Sequence, residues 1–550
     1  MTRVHLILST VLVLVALQIA AVPAPTVAQT AVWTRPFEVS PPLPRNIGGI
    51  PPQGQGIVNA ALISSSWFPN IAVGPEGSVH IIWNSGSQQG NSEDESIDTF
   101  MYRALLNGQW TEPNSIFITG KGGWTIRNGI AVGPDGKVNV SFRSKTNILF
   151  MRASWNNAWG AQQWSEPRTV NSLSVAYYNT LAVDRHNVLH LVWSEAVINQ
   201  DKLRPECQNC ANMFYRQSHD NGESWSAPIN LSNSNYGDNR PQMVIDARDR
   251  IHVVWDQGRD WSAGLGSPKR GVYVRSDDGG LSWTKPYYIE APALDPVPRS
   301  SADNQQSNPN AVQQTTIGVQ ANGNPLIVYR TVSGRIFSQF SNDGGATWQL
   351  PRQIEGISAR DRIGNDLDKF SMVFDGAGIA HLIIVGFPKP LAQMPENITD
   401  PPKLLHLAWN GTSWSQATLI SDYLAPDYPT AVISGNTLHV VWFTRDPKTE
   451  GTQNLIRRYQ IWYSSRLVGG QAVQLLPTFT PEPVQVETAT PQPTLIPTMT
   501  PLPAAVASAP PGAPPAWEQQ GVMTILLALL PVLGLFGAII VFQRVRARRH

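Results

Sequence analysis

The chain has 550 residues, with 41 Lys and Arg against 40 Asp and Glu and a formal net charge of +1. So close a balance, with only 15% charged residues, gives no basic field for nucleic acid and no acidic one for cationic partners, which sets nucleic-acid binding aside. The length admits several domains or one long all-β domain, and internal pattern has to separate the two.

Residues 1–30 open with Arg3, run through "LILSTVLVLVALQIAAV" and pass small-residue cleavage candidates after Ala24 and Ala28, the layout of a secretory signal peptide. An uncleaved N-terminal anchor is the alternative. The next recognisable string, "VWTRPFEVS" at 32–40, has the form of a strand but no partner beside it.

From residue 70 onward one sentence is written seven times. "NIAVGPEGSVHIIW" (70–83), "NGIAVGPDGKVNVSF" (128–142), "NTLAVDRHNVLHLVW" (179–193) and "PQMVIDARDRIHVVW" (241–255) lead. "TIGVQANGNPLIVY" (316–329), "FSMVFDGAGIAHLII" (370–384) and "PTAVISGNTLHVVW" (429–442) follow. Each is a short apolar strand, a Gly, Asn or Asp turn and a second apolar strand, which predicts a hairpin. Both strands are apolar on both faces, as in sheets sandwiched between neighbours. A third strand follows each hairpin ("TFMYRA", "ILFMRAS", "MFYRQS", "GVYVRS", "QIWYSS") and, in most units, a fourth such as "SWSAPINLS" or "SWTKPYYIE". Four strands per unit at a spacing of roughly 50–75 residues predict an all-β, seven-bladed β-propeller over 31–468, with six blades as the alternative if one pair is misread. The seventh unit stops after its third strand, so 32–40 is expected to supply its outer strand and close the ring.

His80, His190, His252, His381 and His439 each sit near the end of a second strand. One histidine per blade at a fixed place is expected to be a hydrogen-bonded core residue. Cys207 and Cys210, the only cysteines, form "CQNC", which favours a local disulfide over free thiols or a redox pair. No second Cys pair or nearby His pair completes a zinc site, and no metal or other cofactor is expected.

Between the third and fourth strands of three units stand "SHDNGESW" (218–225), "SDDGGLSW" (276–283) and "SNDGGATW" (341–348), all Ser-x-Asp-x-Gly-x-Ser/Thr-Trp. Physics gives such a corner a structural role. Asp220, Asp278 and Asp343 can accept the turn's own amides, Gly222, Gly280 and Gly345 permit positive φ, and Trp225, Trp283 and Trp348 fold back as apolar plugs behind Ser218, Ser276 and Ser341.

These three strings resemble the Asp-boxes of the sialidase and bacterial neuraminidase repeat superfamily, and the resemblance covers about residues 31–468. It implies a pocket on the face opposite the Asp-boxes, lined by the connections entering strand one and leaving strand two. Arg127, Arg240 and Lys369 stand just before strand one of their blades, Arg143, Glu195, Asp256 and Arg330 follow strand two, and Asp427 and Tyr428 precede the last blade. Arg127, Arg240, Arg330 and Lys369 are the candidate ligand-binding residues, since convergent cations clamp a carboxylate. Tyr428, Asp427, Asp256 and Glu195 are the catalytic candidates, a carboxylate beside Tyr428 being a route to a stronger nucleophile. The family's sialidases add an Arg-Ile-Pro motif in the first strand. Here that strand reads "FPNIAV", with Pro69 at the arginine's place, and Arg45 in "PRNIGGIP" is no match.

Beyond the ring, residues 469–520 alternate Pro and Thr without hydrophobic period and predict an extended stalk. Residues 521–543 are apolar and long enough for one transmembrane helix, and the basic tail 544–550, "RVRARRH", places the C-terminus in the cytoplasm and the propeller outside. The expected function is a membrane-anchored, sialidase-like propeller that binds a glycan or protein at the cell surface. The alternatives are a glycoside hydrolase with a diverged site and a structural envelope protein.

Overall fold

The computed structural model describes residues 32–41, 64–87, 97–120, 125–171, 174–196, 210–259, 267–293, 308–360, 369–394, 400–423, 425–445 and 459–473. The expected signal peptide, the stalk beyond residue 473, the apolar segment and the tail lie outside the described residues, as does Cys207. Among the described residues no helix is long and apolar enough to cross a membrane.

The hairpin sentence folds as read, and seven antiparallel sheets form seven blades. The innermost strands are Ser64–Val73, Thr125–Val132, Ala176–Val183, Gly237–Ile245, Val312–Val319, Ser371–Phe374 and Ala425–Ser434. Each pairs antiparallel with the next strand in sequence, respectively Val79–Ser87, Lys137–Ser144, Leu189–Ala196, Ile251–Arg259, Pro325–Thr331, Ala380–Phe387 and Thr437–Arg445. In the seventh sheet the outermost strand is Phe37–Glu38, in register with Tyr463 and Trp462. The Thr34 and Val39 amides extend that pairing, each donating at 2.8 Å, to the Ser465 and Ile461 carbonyls. An N-terminal strand thus completes the last blade through backbone hydrogen bonds.

Apolar residues on both faces of the middle strands are explained by the core, which is divided among the blades. Seven separate clusters lie one in each gap between neighbouring sheets, from Phe100 against Phe142 between the first and second blades to Phe443 against Phe68 between the seventh and first. Trp83, Trp193, Trp255 and Trp442 lie midway along the second strands and are fully buried. Truncating any one of them would cost ~3–5 kcal/mol.

The histidine column is buried in the same gaps. His80, His190, His252 and His439 bond through Nδ1 to the hydroxyls of Tyr102, Tyr215, Tyr273 and Tyr463 at 2.7–2.9 Å, and His381 bonds to His406 at 2.9 Å. Carboxylates of Asp184, Asp246 and Asp375 face the other nitrogen of three of them. Burial pushes His80 down to about 3 and His439 to about 4, so both rings are neutral. They hold strand two to strand three.

The Asp-box corners lie at the perimeter. In each, the serine hydroxyl accepts the box glycine's amide (2.7–2.8 Å) and donates to the box aspartate, which accepts the amide four residues further on (2.8–2.9 Å). Gly222, Gly280 and Gly345 have φ of 86°, 93° and 91°. The same glycines abut the preceding blade, where a Cβ on Gly280 would fall 1.8 Å from Tyr215 Oη and one on Gly345 2.0 Å from Tyr273 Oη. Trp225, Trp283 and Trp348 set their rings against Phe150, Tyr215 and Tyr273 of that blade at 4.9–5.5 Å. The corner is therefore a joint between blades.

Candidate functional site: a cationic and aromatic ring in the central channel

Seven inner strands pointing at one axis would be smooth if their registers were regular. They are not. In the first blade Trp67 pairs with Asn84 and Asn70 with Ile82, so Phe68 and Pro69 together stand opposite one residue. The slip recurs at Ile126/Asn128, Ala176/Asn179, Asn239/Gln242, Gln313/Thr316 and Asp427/Thr430. A β-bulge at one level of six of these strands re-aims one side chain in each, and in blade six Lys369 stands at the corresponding place. Counted back from the histidine column, that side chain belongs to Phe68, Arg127, Tyr178, Arg240, Gln314, Lys369 and Tyr428. Phe68, Arg127, Arg240, Gln314 and Tyr428 adopt φ of 51–58°, a left-handed conformation costing a non-glycine residue ~1–2 kcal/mol.

Neighbouring blades hold the bulges in place. Asn128 Nδ2 donates to the Phe68 carbonyl (2.8 Å) and Asn179 Nδ2 to that of Arg127 (3.3 Å), each from the following blade. Asp256 accepts the Gln314 and Thr315 amides at 2.8 and 3.0 Å. Blade six departs from the rest. Ser358–Ala359 and Ser371–Phe374 both pair with Ala380–Phe387, so the inner strand there comes in two pieces. Lys369 stands where the second piece begins.

Around the axis the ring alternates aromatic and cationic groups. The Arg127 guanidinium lies between the Phe68 and Tyr178 rings, 4.0 and 4.4 Å from their centroids, and its Nη2 donates to Tyr178 Oη at 2.9 Å. Phe68 meets Tyr428 edge to face at 5.2 Å, and Lys369 Nζ lies 4.3 Å from the Tyr428 ring centroid. Arg127, Tyr178, Arg240, Lys369 and Tyr428 line one cavity of about 230 Å³. Asn70, Gln242, Met243, Ile317, Ser371 and Met372 also line it, and no described lining residue is Asp or Glu. Arg127 is 8% exposed, and its Nη1 is buried with no hydrogen-bond partner among the described residues.

Two guanidiniums and burial, with no described carboxylate lining the cavity, shift their neighbours. Burial, and then the charge of Arg127, lowers Lys369 to about 7. Burial pushes the Tyr178 phenol up, but the Arg127 and Arg240 guanidiniums, by charge and by hydrogen bond, outweigh it and hold it below the ordinary tyrosine value. Burial raises Tyr428 to about 12, against the pull of Arg127. Of the two tyrosines, Tyr178 is the acidified one.

Other sequence candidates sit elsewhere. Arg330 is fully buried away from the cavity lining, donating through Nη1 to the Arg360 carbonyl at 2.7 Å. Asp427 pairs with Arg360 at 3.0 Å, tying the seventh blade to the sixth. Glu195 accepts Trp193 Nε1 at 2.7 Å and Asn171 Nδ2 at 3.2 Å. Asp256, raised by burial and lowered by Arg240 at 3.8 Å, supports the blade-five bulge. Arg143 stacks on Tyr177 at 4.3 Å and donates to the Lys145 carbonyl. Phe68, Tyr178 and Gln314 escaped the sequence reading, although aligning the seven hairpins on their histidine column brings all three into the column of Arg127. Cys210 is disulfide-bonded, and the chain has one other cysteine. Among the described residues no group of three or more His, Cys, Asp or Glu could hold a metal ion.

Comparison with known proteins gives one family and several distant shapes. Residues 134–440, more than half of the chain, match the BNR repeat-like domain family. No curated protein matches. Among solved structures, a protein of unknown function from Dyadobacter fermentans is similar at 13% identity and a TM-score of 0.43, over 74% of this chain and 96% of that one. The NanB sialidase of Streptococcus pneumoniae is similar at 12% and 0.41, over 73% of this chain and 68% of that one. The Trypanosoma rangeli sialidase is similar at 12% and 0.37, over 73% and 54%.

Proposed function

The chain belongs to the BNR repeat-like domain family, and from that premise we propose that it is a cell-surface binding protein whose propeller takes an acidic glycan into the central channel. The observation that carries the reading is the convergence of Arg127, Arg240 and Lys369 on one cavity with two tyrosines and no described lining carboxylate. Guanidiniums form paired hydrogen bonds with a carboxylate, and aromatic faces pack on sugar rings. Arg127 Nη1, buried with no partner among the described residues, is a donor such a ligand would satisfy. The apolar segment 521–543 with its basic tail supports a single-pass anchor, and the Pro/Thr-rich segment before it supports a stalk holding the propeller outside the cell.

The test is binding of the full chain to immobilised glycans before and after enzymatic removal of their acidic sugars. Binding that disappears with the acid, and on Arg127→Ala, supports the reading; binding indifferent to both overturns it. One observation favours a second reading, hydrolysis of a sialoside. Tyr178, acidified by two arginines, is the best-placed nucleophile in the cavity. Turnover of a fluorogenic sialoside that is lost in Tyr178→Phe would establish that reading, and its absence in the wild type would remove it.

A further inference from the structure

Lys369 stands in surroundings unlike those of a surface lysine. Its ammonium has the Tyr428 ring at 4.3 Å, it shares the cavity with Arg127 and Arg240, and no described Asp or Glu lines that cavity to hold its proton. A buried lysine next to another cation loses its proton easily and becomes a nucleophilic amine. With its titration lowered to about 7, a large share of Lys369 is free base at neutral pH. Arg127 lines the same cavity, and its charge acts on Lys369.

We propose that Lys369 condenses reversibly with the carbonyl of a 2-oxo acid whose carboxylate is held by Arg127 in the central channel. The inference rests on the reading of the channel as a carboxylate site and adds the class of ligand and the reaction. The amine lone pair attacks the carbonyl carbon, a C–N bond forms and the carbonyl electrons move to oxygen. A proton passes from nitrogen to that oxygen to give a carbinolamine. The nitrogen lone pair then expels the hydroxyl, protonated on departure, as one water and leaves an iminium. No oxidant or reductant is needed. The Tyr428 phenol, held protonated by burial, supplies an O–H in the cavity, and its ring face suits the cationic product.

The experiment uses the full chain with pyruvate as probe and lactate as the carboxylate that cannot condense. Protein is treated with borohydride in the presence of pyruvate, of lactate or of neither, and modified peptides are mapped by mass spectrometry. The expected result is a pyruvate-dependent secondary amine on Lys369, formed at least tenfold more readily than on surface lysines and suppressed by excess lactate. Lys369→Arg and Lys369→Met should remove the adduct, and lactate binding is read on the wild-type chain by calorimetry. If lactate binds but Lys369 is labelled no more than surface lysines, the condensation is overturned and the anion site stands. If neither acid binds, both are overturned. The labelling and the lactate competition are read on the wild-type protein, so they decide the matter even where a variant folds poorly.

Discussion

The Asp-box corners at the perimeter and the bulged ring at the axis are both repeats, but they repeat different things. The corners keep their side chains (Ser, Asp, Gly and Trp in blades three, four and five), with the serine and aspartate bonded inside the turn and the tryptophan ring set against the preceding blade. The ring keeps its backbone and changes its side chains, so one level of the channel carries Phe, Arg, Tyr, Arg, Gln, Lys and Tyr in turn. Fixed chemistry at a fixed place is what a joint requires. Fixed geometry with varied chemistry is what recognition requires, and the proposed binding site draws on it at the axis.

The largest effect expected from that contrast is at the perimeter. Gly280→Ala places a Cβ 1.8 Å from Tyr215 Oη at a φ of 93°, and should destabilise the propeller by ~3–4 kcal/mol in denaturant unfolding. Gly279→Ala, at a φ of 69° with nothing within 4 Å, should cost only ~1 kcal/mol. Equal losses would mean that backbone conformation, and not the blade joint, is what the corner protects. At the axis, Arg127→Ala should weaken binding of an acidic glycan by ~1.5–3 kcal/mol, roughly ten- to a hundredfold, while Asp220→Asn leaves it unchanged. An Asp220 variant that lost binding would end the division of labour.

The smallest effect is on acid stability. Asp220 and Asp343 are held at about 2 in the folded protein, chiefly by hydrogen bonds from Ser224 and Thr347, against an ordinary value of 3.8. A carboxylate whose folded value is depressed adds stability above its unfolded value and loses it as pH falls, here between about 4 and about 2. Asp220→Asn should therefore flatten the acid limb of a stability profile in that window and change little above it. A mutant as steep as the wild type would show that the box aspartates do not drive acid unfolding.

The parts of the fold that sequence could show are those written in side chains. Apolar runs on both faces of a hairpin announce a sheet packed on two sides, and "VWTRPFEVS" could be assigned to the last blade because that blade lacked an outer strand. A register slip leaves no such mark. Phe68 and Tyr178 look like core aromatics until the bulge turns them toward the axis. Arg330 and Asp427 look like funnel residues until Arg360, in blade six, engages both. Glu195 and Asp256 are carboxylates at strand ends whose hydrogen bonds go to an indole, an amide side chain and neighbouring amides, partners that only the assembled ring supplies.

The closing strand sets a schedule for making the protein. Thr34 and Ser464 are bonded across 430 positions of sequence. At ~5–20 residues/s of synthesis, the first strand to leave the ribosome waits roughly 20–90 s for the blade it completes. Throughout that interval the nascent chain carries both an unpaired strand and an unfinished sheet. The ring acquires its closing pair only after the rest of the propeller has been made, which makes the last act of assembly also the one most exposed to pairing with another molecule.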